Sequence, residues 1–168
     1  MEVSSVSTRR GNRKNPNPVH APILADIMIA AWRSAFRGIL SDTVIEQYTQ
    51  KDNCTAMFSQ ILVSGQGHMY LASLDCKPMG LLYWLEESET DAHLEALLTI
   101  PAAWGSGVGA ALMETALNDM SSAGYQTVHA WPFSENLRAQ KFYQKFGFAP
   151  SGKSREGDAL EIEHLRSL

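Results

Sequence analysis

The residues best suited to hold a ligand lie in one stretch, Thr99-Ile100-Pro101-Ala102-Ala103-Trp104-Gly105-Ser106-Gly107-Val108-Gly109. Glycine recurs there at every second position from 105 to 109. Lacking a Cβ, it lets the chain turn sharply and bring its backbone close to a bound group. The residues that follow have the period of an amphipathic helix, and a helix N-terminus offers unpaired amides and the positive end of its dipole. A strand, a glycine turn and a helix start in that order make a cradle for a pyrophosphate. Glycines in a tight turn also occur with no ligand, so the purely structural alternative stays open. A dinucleotide site of the doubly wound kind is disfavoured. Its glycines follow a first strand and its acidic residue ends the next one, whereas here the glycines come late and Trp131-Pro132 stand at that end.

A second string, Gly147-Phe148-Ala149-Pro150-Ser151-Gly152-Lys153-Ser154, has the form GxxxxGKS. A phosphate loop of that kind needs a buried strand before it and a long helix after it. Here an amphipathic helix precedes it and a short strand follows, so Lys153 and Ser154 are expected in the hairpin between two closing strands. His20, His68, His129 and His164 show no ligand spacing, and no metal is expected. Cys54 and Cys76 form neither a CxxC pair nor a zinc pattern, which reads as free thiols in a reducing compartment.

The elements that must position the glycine turn follow from periodicity. Leu24, Ile27, Met28, Ala31 and Ala35 predict a helix from Pro22, ended by Gly38. Ser41 or Asp42 caps a second, carrying Val44, Ile45 and Tyr48. A third runs from Asn53 to about Val63, closed by Gly65 and Gly67. His68–Leu74, Met79–Leu85 and His93–Ile100 read as an antiparallel meander with turns at Asp75–Pro78 and Glu86–Asp91. Strict alternation in the last strand puts Leu94, Ala96, Leu98 and Ile100 on one face and His93, Glu95, Leu97 and Thr99 on the other. A helix from Gly107 to Ser122, a strand from Thr127 to Phe133, a helix from Asn136 to Phe146 and two strands around Glu156-Gly157-Asp158 complete the order. This is an α+β, mixed-sheet chain. Residues 1–20 read as an arm or edge strand: Glu2–Arg10 has weak strand character, and Arg9–Asn17, with RRGNRK, is polar. Residues 21–168 read as one domain.

The composition excludes some classes. A net charge of −4 with no long basic block argues against nucleic acid. No apolar run approaches the roughly 20 residues that span a bilayer, and residues 1–17 lack a secretory leader's apolar core. A cytoplasmic protein is expected.

From Leu94 to Phe148 the chain resembles the GNAT superfamily of acetyl-CoA-dependent N-acyltransferases. The family's Val-x-Pro lead-in is similar to Thr99-Ile100-Pro101, and its Q/R-x-x-G-x-G/A loop to Trp104 through Gly109. Its Asn…Phe/Leu-Tyr…Gly-Phe segment is similar to Asn136, Phe142-Tyr143 and Gly147-Phe148. The resemblance implies a GNAT-like fold, a central, mostly antiparallel sheet flanked by helices. It also implies an N-acetyltransferase that moves an acetyl group from acetyl-CoA to a primary amine by direct attack in a ternary complex. It assigns the pantetheine arm and thioester carbonyl to the backbone of Leu97, Leu98 and Thr99. The pyrophosphate falls to the amides of Gly105, Ser106, Gly107, Val108, Gly109 and Ala110, a pantetheine contact to Asn136, and protonation of the leaving thiolate to Tyr143. A core aromatic is the other reading of Tyr143.

The chain departs from the pattern at Trp104, where Gln or Arg is usual. Trp131 stands where some relatives carry a carboxylate. The general base must then come from elsewhere. Glu95, and after it His93, are the candidates, on the strand that leads into the cofactor loop; as surface strand residues they would have no role. The acceptor, a small molecule or peptide amine, is left open, as is a homodimer. Trp32, Phe36, Tyr48 and Trp84 are candidates to line its pocket, and Glu86, Glu87, Glu89 and Asp91 to attract a cation. A non-catalytic acyl-CoA sensor of the same fold is the alternative function.

Overall fold

The computed structural model describes residues 1–5 and 18–168. The expected loose arm, and the part of the predicted first strand beyond Ser5, lie outside the described residues. After a single 3-10 turn at Pro18–His20 come three helices, α1 (Ala21–Ala35), α2 (Asp42–Tyr48) and α3 (Lys51–Ser64). Pro22 sits in the first turn of α1, where its missing N–H costs no bond. The Ser41 hydroxyl accepts from the Val44 amide at 3.3 Å and caps α2. Gly65 closes α3 in the left-handed region at φ +63°.

The strands are β1 (Glu2–Ser5), β2 (His68–Leu74), β3 (Lys77–Glu86), β4 (Asp91–Thr99), β5 (Thr127–Ala130), β6 (Ala149–Arg155) and β7 (Glu161–Ser167). Among the described residues they form one mixed sheet in the order β1-β2-β3-β4-β5-β7-β6. Only β4 and β5 pair in parallel, joined by helix α4 (Val108–Ser122). Helix α5 (Leu137–Lys145) links β5 to β6. The turn between β2 and β3 is tighter than expected. Asp75 and Cys76 both take positive φ, a two-residue hairpin geometry, so Lys77 and Pro78 already belong to β3.

The sheet separates two apolar clusters. Leu82, Trp84, Leu94, Leu112, Met113 and Val128 belong to the one packed by α4, and Phe142, Tyr143 and Phe146 of α5 lean on it. Leu24, Ile27, Phe58, Leu62, Leu81 and Tyr83 form the other, beneath α1 and α3. Along β3, neighbouring residues alternate between them, as the pleat requires.

The alternation expected along β4 does not hold. Its register with β3 passes from Trp84↔Leu94 to Tyr83↔Ala96, so Glu95 is one residue too many and forms a bulge. Leu94 and Leu97 therefore pack on the α4 side, and Ala96 and Leu98 with the α1–α3 cluster. Pairing of β4 with β5 ends at Leu94↔Ala130. Beyond the bulge, the β4 edge away from β3 carries no strand among the described residues, and the sheet opens there.

Candidate active site

The opening leads into the glycine turn. After a single 3-10 turn at Pro101–Ala103, Gly105 and Gly107 take φ of +78° and +87°, and Gly107 caps α4. An L side chain is strained at both positions. Gly109 is not held to glycine in the same way: a Cβ there would meet the Phe142 ring at 3.5 Å, an ordinary contact, where α5 lies against the start of α4.

Two of the six expected amides are used within the loop. Ser106 N–H donates to the Ala103 carbonyl at 3.2 Å, and Val108 N–H to the Ser106 hydroxyl at 3.4 Å. Those of Gly105, Gly107, Gly109 and Ala110 make no hydrogen bond among the described residues. Four open donors therefore converge where the helix dipole is positive.

They border a cleft of about 800 Å³, a size typical of small-molecule sites. Leu97, Leu98 and Thr99 line it from β4, Gly105, Gly107, Gly109 and Ala110 from the loop, and Asn136 and Tyr143 from α5. Ser106 and Val108 do not reach it; Val108 is fully buried in the core. The Asn136 side-chain carbonyl caps α5 by accepting from Ala139 N–H at 3.1 Å, and its amide group makes no hydrogen bond among the described residues. The Tyr143 ring packs on Phe148 at 5.4 Å, and its hydroxyl has no hydrogen-bond partner among the described residues. Burial pushes its phenol up to about 12.

Glu95 and His93 sit elsewhere. Both were expected on the face of Leu97 and Thr99; the bulge turns that face away from them. His93 falls between Ala92 and Leu94, which pack toward α4, so it points to the α1 side. Glu95 lies near Tyr83, whose phenol is raised by burial and then by the Glu95 charge. Neither lines the cleft, and they are mutual neighbours, with His93 Nε2 3.8 Å from Glu95 Oε2. They stand at the bulge where the two strands part.

Of the aromatic residues considered for an acceptor pocket, three come together. Trp32 contacts both Phe36 and Tyr48 with ring centroids 5.0 Å apart, and Phe36 also meets Phe133 and lines the cleft. Trp84 is not among them: it is fully buried in the α4-side core, stacked on His68 at 3.8 Å. Glu86, Glu87, Glu89 and Asp91 do not line the cleft either, because their hairpin lies at the start of β4 and the glycine turn at its end. Lys153 and Ser154 lie in exposed strand β6 rather than in the hairpin, with Lys153 Nζ 3.7 Å from Glu163.

Several charged groups went unnoticed in the sequence. Arg138, Lys141 and Lys145 on α5 all line the cleft, and their spacing of three and four residues was a legible signal. The Arg138 guanidinium lies 3.6 Å from the centroid of the Trp104 ring, and partial desolvation lowers its pKa from the ordinary value. His129, which seemed scattered, is the register partner of His93, and its Nδ1 is 3.0 Å from the buried carboxylate of Glu163. Among the described residues no group of three or more His, Cys, Asp or Glu is arranged to hold a metal ion. No helix among them is long and apolar enough to cross a membrane.

Comparison with known proteins gives concordant matches. The acetyltransferase (GNAT) family model matches residues 27–148. An uncharacterized N-acetyltransferase of Mycobacterium tuberculosis is 28% identical over 108 residues, covering 64% of this chain and 69% of that relative. One of Archaeoglobus fulgidus is 25% identical over 124 residues, or 70% and 82% of the two. Among solved structures, the PaiA N-acetyltransferase of Thermoplasma acidophilum in complex with coenzyme A superposes with a TM-score of 0.78 at 16% identity, covering 100% of both chains.

Proposed function

The chain belongs to the acetyltransferase (GNAT) family, and we propose that it moves an acetyl group from acetyl-CoA to a primary amine, small molecule or peptide, by direct attack in a ternary complex. The observation that carries this reading is the meeting, along one cleft, of four open amides at a helix start, a strand edge without a partner among the described residues and a half-buried phenol. This donor set fits coenzyme A. The amides of Gly105, Gly107, Gly109 and Ala110 suit a diphosphate. The free edge at Leu97, Leu98 and Thr99, with the Asn136 amide opposite, suits an arm that itself contains amides.

Bound acetyl-CoA would supply the thioester carbonyl that the amine attacks. Backbone N–H on the β4 edge then faces the carbonyl oxygen as negative charge develops there. Tyr143, whose phenol keeps its proton throughout the neutral range, donates it to the departing thiolate. Glu95 takes the proton that the amine nitrogen loses as its bond to carbon forms, with His93 beside it. The bulge favours that role, since it turns both groups to the face opposite the Leu97 side chain, so donor and acceptor approach from the two sides of the opened sheet.

A thiol-release assay with acetyl-CoA and a panel of primary amines tests the reading. At least one amine is expected to release thiol, and Tyr143→Phe to lower kcat about 100-fold. Calorimetric binding of coenzyme A with no release for any amine would overturn the enzymatic reading and favour a sensor.

A further inference from the structure

We propose that Arg138, laid flat on Trp104, is a ligand for the cofactor's diphosphate, supplying from α5 the side-chain contact that position 104 gives up in the loop. The inference rests on the coenzyme site proposed above. Trp104 directly precedes Gly105, so a cation held over its ring stands at the rim of the open amides. A guanidinium stacked by its face keeps its N–H donors free in the plane, a geometry matched to phosphate oxygens. Arg138 makes no hydrogen bond or ion pair among the described residues, and both it and Trp104 line the cleft. Lys141 and Lys145 line it from the same helix, and Glu114 is the only carboxylate among the lining residues, so this wall favours an anion.

The stack also holds in place a side chain that otherwise loses much rotamer freedom on binding. Trp104 thus acts as a positioning residue through Arg138. The exchange of a loop side chain for a helix side chain explains how the chain can carry tryptophan where the resembling motif has Gln or Arg.

Isothermal calorimetry with coenzyme A and with dephospho-coenzyme A, which lacks the 3′-phosphate, tests the proposal on wild type, Arg138→Ala, Trp104→Ala and the double variant. Arg138→Ala is expected to weaken both ligands alike, by about tenfold or more. Trp104→Ala is expected to weaken them about threefold, and the double variant to bind no worse than Arg138→Ala alone, since Trp104 acts through the arginine. Arg138 is exposed, so circular dichroism of its variant should match wild type. Binding of Arg138→Ala within twofold of wild type overturns the proposal, as does a loss confined to coenzyme A, which would move the contact to the 3′-phosphate. Failure of the wild type to bind either ligand overturns the coenzyme site itself.

Discussion

Tyr143 illustrates how one residue's surroundings decide its chemistry. A phenol near 10 in water is already protonated at neutral pH; burial pushes this one to about 12 and removes any charged form from the working range. The pH dependence of kcat at alkaline pH should therefore not report this group. The same shift links to stability. Between 10 and 12 the folded chain holds a proton that the unfolded chain has lost, so stability is intact below 10 and falls as pH rises toward 12. Tyr143→Phe should flatten that alkaline fall in a Tm-versus-pH series. For the base, Glu95→Gln should lower kcat about 100-fold and leave KM for acetyl-CoA near wild type, because Glu95 does not line the cleft; His93→Asn should cost less. A greater loss on His93→Asn than on Glu95→Gln would put the histidine first. At this scale the sequence was informative where a residue type has one use, as with the alternating glycines. It showed Arg138 only as one of three spaced cations on α5, since its stacking depends on a ring supplied by a loop more than thirty positions earlier.

Among the elements, the loop and β4 matter most. Gly107→Ala places a side chain at φ +87°, where space exists but the backbone is strained, and should cost about 1 kcal/mol along with weaker coenzyme binding. Gly109→Ala meets Phe142 at an ordinary contact distance and should fold with a Tm near wild type; thermal melts of the two variants separate these causes. Helices and strands were readable because period and caps agree: Ser41, Gly65 and the apolar stripe of α1 all mark their places. The bulge was not. A strand with one extra residue keeps the same residue types, and Leu97-Leu98, two apolar neighbours, is its sole trace in the sequence. That one residue reversed the expected face of His93 and Glu95 relative to Leu97. Trp84 was misjudged for a related reason. The run Leu81-Leu82-Tyr83-Trp84-Leu85 is central, with Leu81 to Trp84 buried, and composition cannot say which face is which.

For the whole molecule, the mixed sheet and the GNAT resemblance, carried by three ordered motifs, are borne out by the family match and the shared fold. The aromatic contacts among Trp32, Phe36, Tyr48 and Phe133 tie α1 and α2 to the loop after β5. A second anchor joins the last three strands of the sheet. Burial pushes the Glu163 carboxyl up, but hydrogen bonds from Ser151 and His129 and the Lys153 charge outweigh it and leave it below its ordinary value. Its contribution is present above the unfolded value of 4.5 and lost as pH falls through the lower folded one. Glu163→Gln should therefore weaken the protein at neutral pH and make the acid limb of a Tm-versus-pH series shallower.

The central claim concerns where a coenzyme lies, and a crystal structure of the protein soaked with coenzyme A reads it directly. Diphosphate oxygens are expected about 3 Å from the amides of Gly105, Gly107, Gly109 and Ala110, with the sulfur beside the Tyr143 hydroxyl. Density for the diphosphate at any other surface, or a sulfur remote from that hydroxyl, would contradict the account.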